Sequence, residues 1–311
     1  MRVFSATDLA SVLDYASLID RIEATFREGC TVPVRHHHTI PAIGEADATL
    51  LLMPAWRDEN FVGVKVVTIF PGNSARGLPA ISASYLLFDG ATGVLQALLD
   101  GSELTSRRTA SASALASRYL SRPDSSRLLM VGTGTMAPHL VCAHACARPI
   151  RQVAIWGRSP EKAKSLAAAL GSSYLEASHV VDLEAAVGEA DIISCATLAT
   201  EPLILGGWLR SGQHLDLVGA FTPQMAEADD AAIARARVYV DTREGALVES
   251  GELVGALERG VIGADDIHGD LFDLTRGAIV GRSGSDEITL FKSVGTALED
   301  LAAATLAIEG T

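Results

Sequence analysis

In the run LLMVGTGTMAPHL, Gly132, Gly134 and Ala137 follow an apolar stretch and open a helical one, with the spacing Gly-x-Gly-x-x-Ala. That pattern in that context suits a turn receiving a dinucleotide pyrophosphate. Gly132 permits the tight turn, Gly134 removes a side chain where phosphate approaches backbone, and Ala137 lets helix and strand pack closely. Thr133, Thr135 and Met136 complete the turn and helix start, whose N–H groups point at the anion. Roughly 20 residues further on, where a carboxylate usually meets the ribose 2′-hydroxyl, the chain has Ile155-Trp156-Gly157-Arg158-Ser159 instead. Arg158 can pair with a 2′-phosphate and Ser159 can donate to it, which favours NADPH and leaves NADH as the second choice. The alternative is that Arg158 only caps a solvated loop. Thr197, after ADIISCAT, is a candidate near the nicotinamide ribose, and Val218 in QHLDLVGA is a further candidate for cofactor contact.

Two other clusters invite a metal. His36 and His38 share one face if their segment is extended, but no third ligand is evident, so a polar loop is expected there, with substrate contact or proton relay as the other reading. His139, Cys142 and Cys146 fall at helical spacing, and small apolar-behaving Cys on a helix pressed against a sheet suits packing better than zinc. No metal site is expected.

The elements that position these residues change character along the chain. Residues 8–29 carry apolar side chains at helical spacing and predict one amphipathic helix. From Ala48 to Phe70 and from Ala80 to Leu99 come short β-rich runs bounded by turn residues, with DGATG at hairpin spacing, which predicts an antiparallel sheet. A helix is expected from Asp100, its possible N-cap, through LTSRRTASASALASRYL. Strands and helices then alternate as in a parallel sheet with crossovers, and a last helix from about Val294 is expected to return to the first domain. The fold class is therefore α/β, a Rossmann dinucleotide-binding domain plus an α+β domain.

The 311 residues suffice for two domains, and 25 basic against 38 acidic side chains give a net charge of −13. Such a field repels nucleic acid and anionic membranes, so a site for a carboxylate must be built from a few placed cations. No apolar run reaches the ~20 residues of a spanning helix, and no leader pattern opens the sequence. Four scattered cysteines do not suggest a disulfide framework. A cytoplasmic protein is expected.

The stretches LLLMPAW, VGVKVV followed by FPGN, ELTSRRTASASALAS, VGTGTMA, HLDLVGAFTP with EADD, and FKSVGTALEDLAAA resemble the ornithine cyclodeaminase and mu-crystallin family along nearly the whole chain. The resemblance implies a substrate-binding and dimerising domain over 1–118 with 294–311, an NAD(P)-binding Rossmann domain over 119–293, and a homodimer. It also implies that Arg35, Lys65 and Arg108 grip a substrate carboxylate. Arg107 and Arg108 point about 100° apart on a helix, so the match to Arg108 leaves Arg107 as a surface charge.

At the position where the cyclodeaminases carry a catalytic Asp, this sequence has Phe221, which cannot exchange protons. Loss of a positioned acid–base group typically costs ~10²–10⁴ in rate, so cyclodeamination is disfavoured. Reduction of a preformed cyclic imine asks for less, since the ring nitrogen can enter protonated. VRHHH ahead of LLMPAW looks closest to bacterial Δ1-pyrroline-2-carboxylate reductases. The expected reaction is reduction of that small cyclic imino acid to L-proline, and of Δ1-piperideine-2-carboxylate to L-pipecolate. Lys65 and Arg108 would be catalytic, and Met53 and Phe221 an apolar wall for the ring or else ordinary core. Ornithine or lysine cyclodeaminase, an alanine dehydrogenase-like enzyme, and a non-catalytic NADPH-dependent binder are the alternatives.

Overall fold

A short strand, β1 (Arg2–Phe4), leads into two helices where the sequence pattern predicts one: α1 (Ala6–Val12) and α2 (Tyr15–Glu28). The break falls at Leu13, because the Asp14 side chain accepts from Ser17 N and restarts the chain as an N-cap. The computed structural model describes residues 1–57 and 60–310, and the chain divides into two units, Met1–Thr109 with Thr296–Thr311 and Ala110–Gly295.

The first unit continues with β2 (His36–Ile40), β3 (Ala48–Arg57), β4 (Phe61–Ile69), β5 (Ile81–Asp89) and β6 (Leu95–Asp100). Strands β2 to β6 pair antiparallel, and β1 joins β6 in parallel, giving the order β1-β6-β5-β4-β3-β2. The turn from β5 to β6 is fixed by Asp89, whose Oδ1 accepts from Thr92 N at 2.8 Å and from Thr92 Oγ1 at 2.6 Å. β2 corrects one expectation: the three histidines sit on an exposed edge strand rather than in a loop, with the His36 and His38 rings 6.3 Å apart.

Helix α3 (Gly101–Leu120) follows, its first turn capped by Asp100 Oδ1, which accepts from Ser102 N and Glu103 N. The division between units falls inside this helix. The unit closes after a long excursion with a final helix over 297–309, capped by Thr296, which packs on β3, β4 and β5 and against α2. Leu18, Ile19, Ile22 and Phe26 of α2 are fully buried, each contributing about 1.5–3 kcal/mol relative to exposure.

The second unit contains β7 (Arg127–Val131), α4 (Met136–Ala147), β8 (Gln152–Trp156), α5 (Pro160–Leu170), β9 (Glu176–His179), α6 (Leu183–Glu189), β10 (Ile192–Cys195), β11 (His214–Leu217), α7 (Asp230–Arg235), β12 (Arg237–Val240), α8 (Arg243–Glu249), α9 (Gly251–Glu258), β13 (Ile267–Asp270), α10 (Leu271–Thr275) and β14 (Thr289–Lys292). The closing helix of the first unit is α11 (Ala297–Glu309). All eight strands pair in parallel, in the order β13-β12-β14-β11-β10-β7-β8-β9. The order reverses at β7, which places the ligand crevice beyond the carboxyl ends of β7, β8 and β10.

A buried Ser194–Asp216–His144 chain lies within this sheet: Ser194 Oγ donates to Asp216 Oδ2 at 2.6 Å, and His144 Nε2 lies 3.2 Å from the same oxygen. All three residues have zero exposure, so the arrangement ties α4 to β10 and β11 and offers nothing to a substrate. Among the described residues, no helix is long and apolar enough to cross a membrane.

Candidate active site

The glycine turn has the form the sequence predicts. Gly132 takes φ 123°, a conformation side chains disfavour, and a Cβ there would come within 2.5 Å of the Ala196 carbonyl oxygen. At Gly134 a Cβ would meet no protein atom within 4 Å, so the missing side chain leaves open space. That space belongs to a cavity of about 410 Å³ lined by Gly132, Thr133, Gly134, Trp156, Arg158, Ser159, Lys162 and the 196–199 loop. Thr135 is the N-cap position of α4 and Met136 its first residue, so both stand where helix N–H groups open. The residues present fit a dinucleotide: bare backbone for pyrophosphate and exposed cations beyond β8.

Ser159 lines the same cavity and also serves the local fold. Its hydroxyl accepts from Lys162 N at 3.3 Å as the cap of α5 and donates to Glu161 Oε2 at 3.1 Å. Lys162, which nothing in the sequence singles out, lines the cavity with Arg158. Thr197 also lines it, and its N and Oγ1 both donate to Glu227 Oε1, at 2.6 and 2.8 Å. Val218 and Phe221 follow β11 outside this lining, Phe221 being 43% exposed.

In the first unit, Lys65 of the sheet and Arg108 of α3 meet at Asp300 of α11. Met53, Lys65 and Tyr85 lie side by side across β3, β4 and β5 and are buried. From α11, Asp300 Oδ2 lies 2.7 Å from Lys65 Nζ, while Asp300 Oδ1 accepts from Arg108 Nε at 2.9 Å. Glu299 Oε2 accepts from Arg108 Nη1 at 2.6 Å. Lys65 is 2% exposed and Arg108 5%. Two buried cations without their carboxylates would be strongly disfavoured, so α11 makes the cluster possible.

Burial is the main force on Lys65 and lowers it to about 8 against the pull of Asp300, with Arg108 and Arg35 pushing the same way as burial. Arg35 is thus close enough for its charge to be felt. Burial also acts on Asp300, but Arg108 and Lys65 outweigh it and hold the carboxyl below its ordinary value. On Tyr85 burial and Asp300 act together, keeping the phenol protonated. Arg107 is not the surface charge expected: it is half-buried, donating to Glu103 Oε1 at 2.6 Å and to the Leu13 carbonyl at 2.7 Å. Among the described residues no group of three or more His, Cys, Asp or Glu is placed to hold a metal ion.

Asp300 and Glu299 are the site residues sequence reasoning missed. Their signal is an acidic pair inside the otherwise apolar run TALEDLAAATLA, which a buried helix tolerates only when cations wait opposite.

A phosphate-receiving turn on an all-parallel sheet makes the second unit a Rossmann dinucleotide-binding domain. The chain belongs to the ornithine cyclodeaminase/mu-crystallin family, whose pattern it matches over residues 2–310. It is 44% identical to the Δ1-pyrroline-2-carboxylate reductase of Paracoccus denitrificans over 283 residues, 91% of this chain and 89% of that protein. It is 39% identical to the enzyme of the same name from Colwellia psychrerythraea, over 99% of each chain. The structure of Thermococcus litoralis Δ1-pyrroline-2-carboxylate reductase with NADH and L-proline matches with a TM-score of 0.93 at 34% identity, covering 100% of this chain and 97% of that one.

Proposed function

We propose that this protein is an NAD(P)H-dependent reductase of small cyclic ketimines, converting Δ1-pyrroline-2-carboxylate to L-proline and, as a second activity, Δ1-piperideine-2-carboxylate to L-pipecolate. The observation that carries this reading is the buried cluster of Lys65 and Arg108 on Asp300 and Glu299, in a chain similar to such reductases over nearly its whole length. Arg35, Lys65 and Arg108 hold the substrate carboxylate, each charge-assisted hydrogen bond contributing about 1.5–3 kcal/mol. Asp300 and Glu299 orient the cations, and Met53 offers apolar surface to the ring. The ring nitrogen arrives protonated, so no acid is required where Phe221 stands. When bound, the reduced dinucleotide supplies a hydride to the imino carbon. The cavity past β8 carries Arg158 and Lys162, which supports NADPH as the preferred form.

Loss of NADPH absorbance should be strong with Δ1-pyrroline-2-carboxylate and weak with pyruvate plus ammonium, and ornithine with oxidised cofactor should release little ammonia. A stronger response to either of the latter would replace this reading. Arg158→Asp should lower the preference for NADPH over NADH by about tenfold or more, as a paired phosphate becomes a repelled one. An unchanged preference would remove Arg158 from the 2′-phosphate site.

Lys65 is an ammonium below about pH 8 and neutral above it. Binding of the carboxylate therefore weakens as pH rises through that value, and kcat/KM should show a basic limb there. Lys65→Arg should move the limb upward, since guanidinium stays charged.

We assign the protein to the cytoplasm, in keeping with its four cysteine thiols. A homodimer is supported by the sheet face opposite Lys65, where register aligns Pro54, Val64 and Leu86 in one apolar row and Trp56, Val62 and Phe88 in the next. Trp56 is 37% exposed on that face. Sedimentation should give twice the chain mass, and Trp56→Glu should shift it toward one chain; a monomeric unmodified protein would end the proposal.

A further inference from the structure

Glu227, Glu252 and Lys292 are buried together at the carboxyl end of the parallel sheet, with exposures of 0%, 2% and 0%. Glu227 gathers two loops. Its Oε1 takes Thr197 N and Oγ1 from the loop after β10, and its Oε2 takes Gly219 N at 2.7 Å from the loop after β11. The two backbone N–H groups can only donate to this carboxyl; burial and Glu252 push Glu227 above its ordinary value, while Lys292 and the donors from Thr197 and Gly219 pull it back toward the ionised form. Glu252 Oε1 accepts from Glu227 N at 2.9 Å, and its Oε2 lies 3.2 Å from Lys292 Nζ. Lys292 thus pairs directly with Glu252 and acts on Glu227 only through space. Gly219 is the close approach that permits this, since a Cβ there would fall 2.4 Å from Glu227 Oε1 and 2.2 Å from the Thr197 carbonyl.

Burial is the first cause raising the Cys195 thiol at the end of β10, and Glu227, Asp216 and Glu252 add to it while Lys292 opposes. With β8 and β9 on the adenosine side of the glycine turn, the rule for this fold carries the nicotinamide half to the β10 and β11 side.

We propose that the Glu227–Glu252 pair sets the redox balance of the bound dinucleotide by placing excess negative charge beneath its nicotinamide end. The inference rests on the dinucleotide reading above. The oxidised ring carries a positive charge that the reduced ring lacks, so a buried, weakly screened anion favours the oxidised form. Two electrons and one proton separate the two forms and pass as a hydride to the imino carbon, while the C=N π pair moves to the already protonated nitrogen. The same charge therefore eases hydride release. Glu227 does this without touching substrate, through the loop that carries Thr197.

The test is the ratio of dissociation constants for NADP⁺ and NADPH, measured by calorimetry and by fluorescence on the whole chain. The unmodified protein should bind NADP⁺ at least as tightly as NADPH; a tenfold preference for NADPH would overturn the inference without any variant. In Glu227→Gln the affinity for NADP⁺ should fall about tenfold more than that for NADPH. Equal losses of both would reduce Glu227 to a loop clamp and overturn the proposal. Glu252→Gln leaves every donor on Glu227 in place and should shift the ratio in the same direction, so it decides the matter if Glu227→Gln does not fold. Failure of the unmodified chain to bind either form would remove the dinucleotide reading as well, a result distinct from binding with the wrong preference.

Discussion

Arg108→Met should lower kcat/KM for the cyclic imine by about tenfold to a hundredfold and also reduce stability by about 3–5 kcal/mol. The two effects have separate causes. The first is loss of a charge-assisted bond to the substrate carboxylate. The second arises inside the protein, because Arg108 Nη1 and Nε hold Glu299 and Asp300 in a site with almost no exposure. Methionine fills the space but leaves Asp300 with Lys65 alone and Glu299 without its guanidinium. Thermal unfolding and steady-state kinetics on the same preparation separate the two losses. Arg107→Met is the matched comparison: it removes a neighbouring guanidinium that serves Glu103 and the Leu13 carbonyl, so its kinetics should stay near those of the unmodified protein. If Arg108→Met unfolds more easily yet turns over normally, Arg108 is structural only.

Gly134→Ala should weaken dinucleotide binding by about tenfold to a hundredfold while leaving the unfolding temperature unchanged. A Cβ at Gly134 meets no protein atom within 4 Å, so the fold has no reason to object, and only a ligand pressed against that backbone would. Gly132→Ala makes the contrast. It forces a side chain into φ 123° and against the Ala196 carbonyl, so it should damage both binding and stability. Unchanged affinity in Gly134→Ala would mean that the cavity receives something other than a pyrophosphate at this turn.

Much of this was legible in the sequence because local chemistry decided it. The glycine turn needs only a strand, two glycines, a small residue and a helix start, all within LLMVGTGTMA. Asp100 and the long small-residue helix after it are set by capping and by close packing, again within a few residues. What escaped was one local cap and, beyond it, contacts set by partners far along the chain. Residues 8–29 have one helical period throughout, and the restart at Asp14 wins because its side chain caps Ser17 N. The histidine run pairs with Leu50–Leu52, which no feature of HHH announces. β14 enters the sheet between β11 and β12, an order that no pattern in ITLFK can specify. The acidic residues of α11 become intelligible only once register puts Lys65 beneath them.

The carboxylates that steady Lys65 and Arg108 come from α11, encoded after the entire parallel sheet. On a ribosome, which releases the amino end first, the earlier strands emerge with two cations whose partners are still untranslated. The first unit cannot mature until translation nears residue 300. The second waits nearly as long, since β14, in the middle of its sheet, ends only at Lys292, so neither unit can be complete until the chain has been made almost to Asp300.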